Sequence, residues 1–143
     1  MANWLLLHYT ISSKPSAGRV YIWRKLKRLG ALLLQNAVWI LPDTPRAAEQ
    51  FQWLATEIQE MKGDALLWRS SLVLGIQEND LVRQFVEQVD REYTGLMKNL
   101  NRRIADLAKL SKQYQQISAE DYFDSELGQQ VREKLMALKG GAG

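Results

Sequence analysis

Twelve consecutive residues without a charge, "ALLLQNAVWILP" at 31–42, limit most strongly how this chain of 143 residues can fold. The run could form one long strand, but Gln35 and Asn36 at its centre suit a tight turn. We therefore predict two short strands, Ala31–Leu34 and Ala37–Leu41, that pair as a hairpin.

Strand and helix patterns alternate before the hairpin. "NWLLLHYTI", Asn3 to Ile11, is short, apolar and followed by a loop rich in Ser, Pro and Gly, so it predicts a buried strand. The next segment has helical periodicity, and Gly30 suits the end of that helix.

The same alternation continues after the hairpin. Asp43 or Thr44 can cap a second helix, Pro45 suits its first turn, and Gly63 ends it. Its buried stripe is Phe51, Leu54, Ile58 and Met61, and "DALLWRSSLVL" then predicts another strand. The order βαββαβ predicts an α+β fold, a ferredoxin-like plait over residues 1–75.

Beyond Gly75 the periodicity is that of helices alone. It predicts one long helix, or two joined near Gly95, followed by a last amphipathic helix from Ser125 to Lys139. We predict a helical subdomain at 76–143 that packs on the plait.

The composition excludes several kinds of site. The chain has no cysteine, which excludes disulfides and thiolate metal ligands. "MANWLLLHYTISS" lacks a basic leader, and its apolar run is too short for a signal peptide or a membrane span. We expect a cytoplasmic protein with no cofactor, no bound metal and no membrane partner.

Positive charge is concentrated at the start of the chain. Residues 1–43 carry six Lys or Arg and one acid, whereas the remaining hundred carry thirteen bases and fifteen acids. The first acidic residue is Asp43. This asymmetry indicates an anionic partner near the N-terminal half.

Five cationic side chains lie within "RVYIWRKLKRLG", residues 19–30. A helical wheel places the apolar residues on one side and the basic residues on the other. This basic face is a candidate for phosphate contacts, and the alternative is an ordinary solvated surface. The candidate nucleic-acid contacts are Tyr21, Arg24, Lys25, Lys27 and Arg28, with Arg102 and Arg103 from a second basic cluster. That cluster also contains Lys98, Lys109 and Lys112, and ordinary surface charge is the favoured interpretation of it.

The loop "SSKPSAGR" opens the basic helix. Backbone N–H groups at a helix start, with Lys14, Ser16 and Arg19 close by, form a candidate site for a tetrahedral oxyanion. Because such loops often precede helices, a plain loop is the alternative.

Both faces of the first strand are largely apolar, so two helices on one face leave the other to be covered. We expect the C-terminal helices or a second subunit to cover it, and we favour a homodimer. His8, the only histidine, is interpreted as a packed strand residue. Trp23, Trp39 and Trp68 are predicted to lie in the core, whereas Trp53 points away from its helix's apolar stripe.

Three stretches carry a family resemblance: "SAGRVYIWRKLKRLGALLLQNAVWILP", "QFQWLATEIQEMKGDALLW" and "DYFDSELGQQVREKLMAL". Together they resemble the N-terminal domain of the ChrB chromate-resistance regulators, from Trp4 to about Leu138. The resemblance implies a DNA-binding transcription regulator that senses chromate and controls a chromate-efflux operon. ChrB proteins commonly have a second domain, so a separate C-terminal ChrB-type domain is a further candidate partner. Which of the two domains senses chromate is left open.

A weaker likeness covers only the plait. "LHYTI", the basic helix and "GALLLQNAVWIL" resemble PaaX-type repressors and the small CRISPR-associated endoribonucleases of spacer acquisition. PaaX-type proteins carry a winged helix before the plait, and this sequence has none, so we expect no helix-turn-helix. The endoribonucleases place a metal-binding Asp where this sequence has Thr10. We therefore predict that the protein is not an enzyme, because metal-assisted cleavage needs that carboxylate.

Two other functions stay open beside DNA binding. One is a protein-interaction module that dimerises through the plait and engages no nucleic acid. The other is a divergent metal-dependent nuclease.

Overall fold

The computed structural model describes residues 3–12, 14, 16–102 and 106–141, and the chain divides into two compact units, 1–78 and 79–143. The elements of the first unit are β1 (Asn3–Thr10), α1 (Ala17–Arg28), β2 (Leu32–Leu34), β3 (Val38–Pro42), α2 (Pro45–Glu60) and β4 (Asp64–Ser71). The helices that follow are α3 (Glu78–Leu100), α4 (Leu107–Ser118) and α5 (Glu126–Gly141).

The first unit is a four-stranded antiparallel sheet in the order β2-β3-β1-β4. This order and the βαββαβ succession define a ferredoxin-like plait, so the predicted α+β fold class is confirmed. α2 packs against β1 and β4, and α1 packs against α2. The helices therefore form one layer and the sheet the other.

Local sequence sets the turns of the plait. Gln35 and Asn36 both have positive φ, 51° and 55°, as a type I′ hairpin turn requires. Gly30 has φ 75°, and Ala31 N–H donates to the Leu26 carbonyl, which makes a Schellman ending for α1. The hairpin and the end of the basic helix are where the sequence predicted them.

The core of the plait lies between the helices and one face of the sheet. Leu5 and Leu7 of β1 are buried, together with Ile22, Leu26, Phe51, Leu54 and Ile58 of the helices. The predicted stripe of α2 is confirmed except for Met61, which caps the helix and is partly exposed. Thr44 is the N-cap of α2, with its hydroxyl accepting from Ala47 N–H at 3.1 Å.

The predicted burial of His8 and Trp68, on the sheet face away from α1 and α2, is wrong. His8 is exposed, and its register partner Leu66 is 57% exposed. Trp68, opposite Leu6, is 54% exposed rather than in the core. The physical reason is that α1 and α2 cover the opposite face of the sheet. This face is therefore exposed along β4, whereas Trp4 and Ile40 on the same face are buried.

The last strand of the plait is shorter than predicted. β4 ends at Ser71, and Val73 and Leu74 are exposed. Ser71 pairs with Asn3, the first residue of β1.

The second unit has a core in which α3, α4 and α5 all take part. Its buried members are Val89, Tyr93, Leu96, Leu100, Leu110, Val131 and Leu135. The Tyr93 hydroxyl donates to Asp121 at 3.0 Å, and burial together with that carboxylate raises the pKa of Tyr93. No helix in the described ranges combines the length and the apolar character needed to cross a membrane.

α3 does not break at Gly95 but continues to Leu100. The predicted alternative of two helices joined near Gly95 is therefore wrong. A new helix begins where Asp106 accepts from Lys109 N–H at 3.2 Å.

A Cβ at Gly95 would meet no atom within 4 Å. We expect Gly95→Ala to raise the free energy of unfolding by about 0.5–1 kcal/mol, because glycine costs backbone entropy inside a helix. Urea unfolding followed by far-ultraviolet circular dichroism measures this change, and a loss of stability would contradict it.

Candidate nucleic-acid interface

The basic helix α1 is fixed to the plait by its apolar side. Ile22 and Leu26 are fully buried, so the opposite side of the helix must face solvent. Lys25, Lys27 and Arg28 lie in its last turn, where cations stabilise the negative end of the helix dipole. Part of the positive charge therefore has a structural role as well.

Three of the predicted phosphate contacts are unneutralised. Arg24, Lys27 and Arg28 are exposed, and none has a carboxylate within ion-pair distance among the residues that the structure describes. Their spacing of three and four residues places them as neighbours on one helix face. This arrangement is suited to bind an extended polyanion.

Lys25 is the exception within the cluster. Its ammonium group lies 3.0 Å from the Glu57 carboxylate of α2, and it also lies 5.2 Å from the centre of the Tyr21 ring. A hydrogen bond with the Tyr21 hydroxyl is the main cause that raises the pKa of Lys25, and the hydrogen bond to Glu57 is the next. Tyr21, and after it Lys25, lowers the pKa of Glu57. Lys25 is thus held between two side chains of the helical layer.

One of the two aromatic residues of α1 is more exposed than the sequence predicted. Trp23 is 50% exposed, and the Lys27 ammonium lies 5.7 Å from the centre of its ring, within the range of a cation–π contact. Trp23 is therefore wrongly assigned to the core, because the side of α1 that packs on the plait is narrow and centred on Ile22 and Leu26. The surface of α1 combines cations with accessible rings.

The predicted oxyanion residues lie around the start of α1. Lys14, Ser16 and Arg19 are all exposed. Ser16 is the N-cap residue, but its hydroxyl caps no backbone N–H, and the first turn carries no acid. The Ser12 hydroxyl instead accepts from Lys14 N–H at 3.2 Å and donates to the Lys14 carbonyl at 2.9 Å.

The second basic cluster belongs to the second unit. Arg102 is exposed just beyond the end of α3, where its backbone N–H donates to the Asn99 carbonyl. Arg103 lies outside the described residues. These two residues therefore belong to a different unit of the chain from α1.

Thr10, at the position compared with a nuclease Asp, is the last residue of β1. In the sheet register it lies opposite Asp64, the first residue of β4. Over the described ranges, no three His, Cys, Asp or Glu side chains are grouped so that they could hold a metal ion.

The sequence did not predict a small cleft between α1 and α2. Its volume is about 140 Å³, and it is lined by Lys25, Arg28, Leu29, Gln50, Trp53, Leu54 and Glu57. Trp53 is 62% exposed there, which confirms that it points away from the stripe of α2. That position on the helical wheel was the only signal for the cleft in the sequence.

The plait carries on α1 a group of exposed cations without carboxylate partners among the described residues. It is a small α+β domain suited to bind anionic partners. Comparison with known proteins agrees with the resemblance seen in the sequence: the family described as "Protein ChrB, N-terminal" matches residues 19–120. The chain belongs to the ChrB N-terminal family.

A curated relative, Protein ChrB of Cupriavidus metallidurans strain CH34, is 31% identical over 93 residues. The matched region is 65% of this chain but 25% of the relative, so the chain spans about a quarter of that protein's length. No solved structure matches the chain.

Proposed function

We propose that this chain is the DNA-binding module of a ChrB-type transcription regulator that acts in chromate resistance. The observation that carries the proposal is the set of exposed, unneutralised cations Arg24, Lys27 and Arg28 on one face of α1. Such a surface binds the phosphate backbone, which contributes affinity but no base specificity by itself. Membership of the ChrB family supports the link to chromate resistance, and the protein would act in the cytoplasm.

Two further parts of the proposal rest on other surfaces. A response to chromate or a similar oxyanion would use the uncapped first turn of α1 with Lys14, Ser16 and Arg19. Homodimerisation would use the open sheet face around Leu66 and Trp68, since exposed apolar patches often mark interaction sites. A separate C-terminal ChrB-type domain would complete the regulator.

The salt dependence of binding tests the central claim. Fluorescence anisotropy would follow a labelled duplex from the region upstream of the gene, and a scrambled duplex, as sodium chloride is raised. Three phosphate contacts predict a slope of log K against log[salt] of about −2.7. A flat salt dependence, or no binding at low salt, would overturn the proposal.

A second candidate function is a protein-interaction module that binds no nucleic acid, favoured by the exposed Leu66 and Trp68. Sedimentation of the protein without DNA separates the two functions. A dimer that is insensitive to salt, with no duplex binding, would support the interaction module.

Removal of the Lys25–Glu57 ion pair tests the proposal with a variant that should bind the duplex more tightly. We expect Glu57→Gln to strengthen duplex binding and to steepen the salt slope by up to about one unit, because it releases Lys25 for a phosphate and removes a negative charge. The loss of stability should stay below about 1 kcal/mol, since both side chains are partly exposed. Anisotropy measures the first effect and urea unfolding the second. Weaker binding by a folded Glu57→Gln protein would contradict the prediction.

A further inference from the structure

The cleft between α1 and α2 combines three kinds of group that recognise a nucleotide. Trp53 supplies an exposed indole face, and Gln50, one turn earlier on α2, supplies an amide that can both donate and accept hydrogen bonds. Arg28 reaches the same cleft from α1 and has no carboxylate partner within the described part of the chain. The floor is apolar, formed by Leu29 and Leu54.

The charge of the lining favours an anion. The one acid in the cleft, Glu57, is already paired with Lys25 at 3.0 Å, so Arg28 is left as the charge to be matched. Glu49, one turn before Trp53, is exposed but does not line the cleft. At about 140 Å³ the space is well below the roughly 300 Å³ at which drug-sized pockets begin, so only a small part of a ligand can enter it.

A duplex has no base face to offer to Trp53, because its bases are stacked inside the helix. An unpaired base has a free face, and stacking of such bases on aromatic side chains is how proteins bind single strands. Tyr21 and Trp23 on α1 add two more exposed rings among the cations. Alternating rings and cations are typical of surfaces that bind single-stranded nucleic acid.

From this arrangement we propose that the α1–α2 cleft binds an unpaired nucleotide, with the base stacked on Trp53, its edge at Gln50 and its phosphate at Arg28. The chain then prefers single-stranded nucleic acid, or duplex with an extruded base, over intact duplex. This inference rests on the proposed function and adds a ligand to the same helical layer.

The test compares a labelled single-stranded oligonucleotide with the duplex of the same sequence at matched salt. The wild-type protein should bind the single strand more tightly. Trp53→Ala should weaken single-strand binding by about 10-fold or more, the effect of one stacked base, and should change duplex binding by less than about twofold. Trp53→Phe should keep most of the affinity, because it retains an aromatic ring.

Met136→Ala is the control. Its side chain on α5 is almost as exposed as that of Trp53 but belongs to neither the cleft nor the proposed dimer surface, and the change should leave single-strand binding unchanged. Single-strand binding that survives Trp53→Ala would overturn the inference while leaving the proposed function intact. A change of sedimentation coefficient in Trp53→Ala without DNA would also overturn it, by assigning the indole to a subunit contact. Failure of the wild-type protein to bind either nucleic acid would instead overturn the proposed function.

Discussion

Replacing Arg24, Lys27 and Arg28 together with glutamate should reduce duplex affinity by about 100-fold or more at low salt and abolish the salt dependence of what remains. The three side chains are exposed and have no carboxylate partner in the described ranges, so the wild-type charges are free to displace counterions from DNA. The substituted side chains repel phosphate. Anisotropy on the labelled duplex measures the loss.

The control for this variant must have the same net charge, because long-range repulsion alone weakens DNA binding. Arg91, Lys134 and Lys139 are exposed on α3 and α5, and changing them to glutamate gives an equal change in charge on the second unit. We expect the control to lose far less affinity and to keep most of its salt slope. Equal losses in the two variants would mean that α1 is not the interface.

Glutamate in the last turn of α1 also opposes the helix dipole, so a folded protein must be demonstrated. The change of the same three residues to glutamine removes the positive charge without adding negative charge. It should weaken binding less than the glutamate variant and leave the circular dichroism spectrum unchanged. Binding at wild-type strength by the glutamine variant would contradict the mechanism.

The features of the plait that were predicted correctly are determined by residues close together in the sequence. The turn at Gln35 and Asn36, the end of α1 at Gly30 and the cap of α2 at Thr44 each follow from the preferences of one or two residues. The periodicity of α2 likewise selects Phe51, Leu54 and Ile58 for the core. These short-range signals are sufficient to give the βαββαβ order and therefore the fold.

The errors concern contacts between distant parts of the chain. The pairing of Lys25 with Glu57 joins residues 32 positions apart, and no local pattern indicates it. An indole on a strand or helix face is apolar whether or not another element covers it, so the sequence could not distinguish the buried Trp39 from the exposed Trp23 and Trp68. The cleft at Trp53 likewise exists only because α1 and α2 lie side by side.

Gly63, between α2 and β4, is a position of the plait that should tolerate a side chain poorly. A Cβ there would lie 2.5 Å from the Thr10 carbonyl oxygen, and 3.0 Å and 3.1 Å from methyl or methylene carbons of Ile58 and Ile11. The Thr10 oxygen is backbone at the end of β1, where the strand pairs with Asp64, so it cannot move without disturbing the sheet register. We expect Gly63→Ala to lower the free energy of unfolding by about 3 kcal/mol, the upper range for overpacking.

Tryptophan fluorescence during urea unfolding measures this loss in the plait alone, because all five tryptophans lie within residues 1–78. Gly18→Ala is the matched control in the same unit. Its Cβ would lie at an ordinary contact distance, 3.4 Å, from the Met61 sulfur, and a helical position favours alanine. We expect the control to be neutral or to gain up to about 1 kcal/mol. A free energy of unfolding of Gly63→Ala within about 0.5 kcal/mol of the wild-type value would contradict the prediction. It would mean that α2 and β4 can separate without strain, and that the close approach of Gly63 to Thr10 does not constrain the plait.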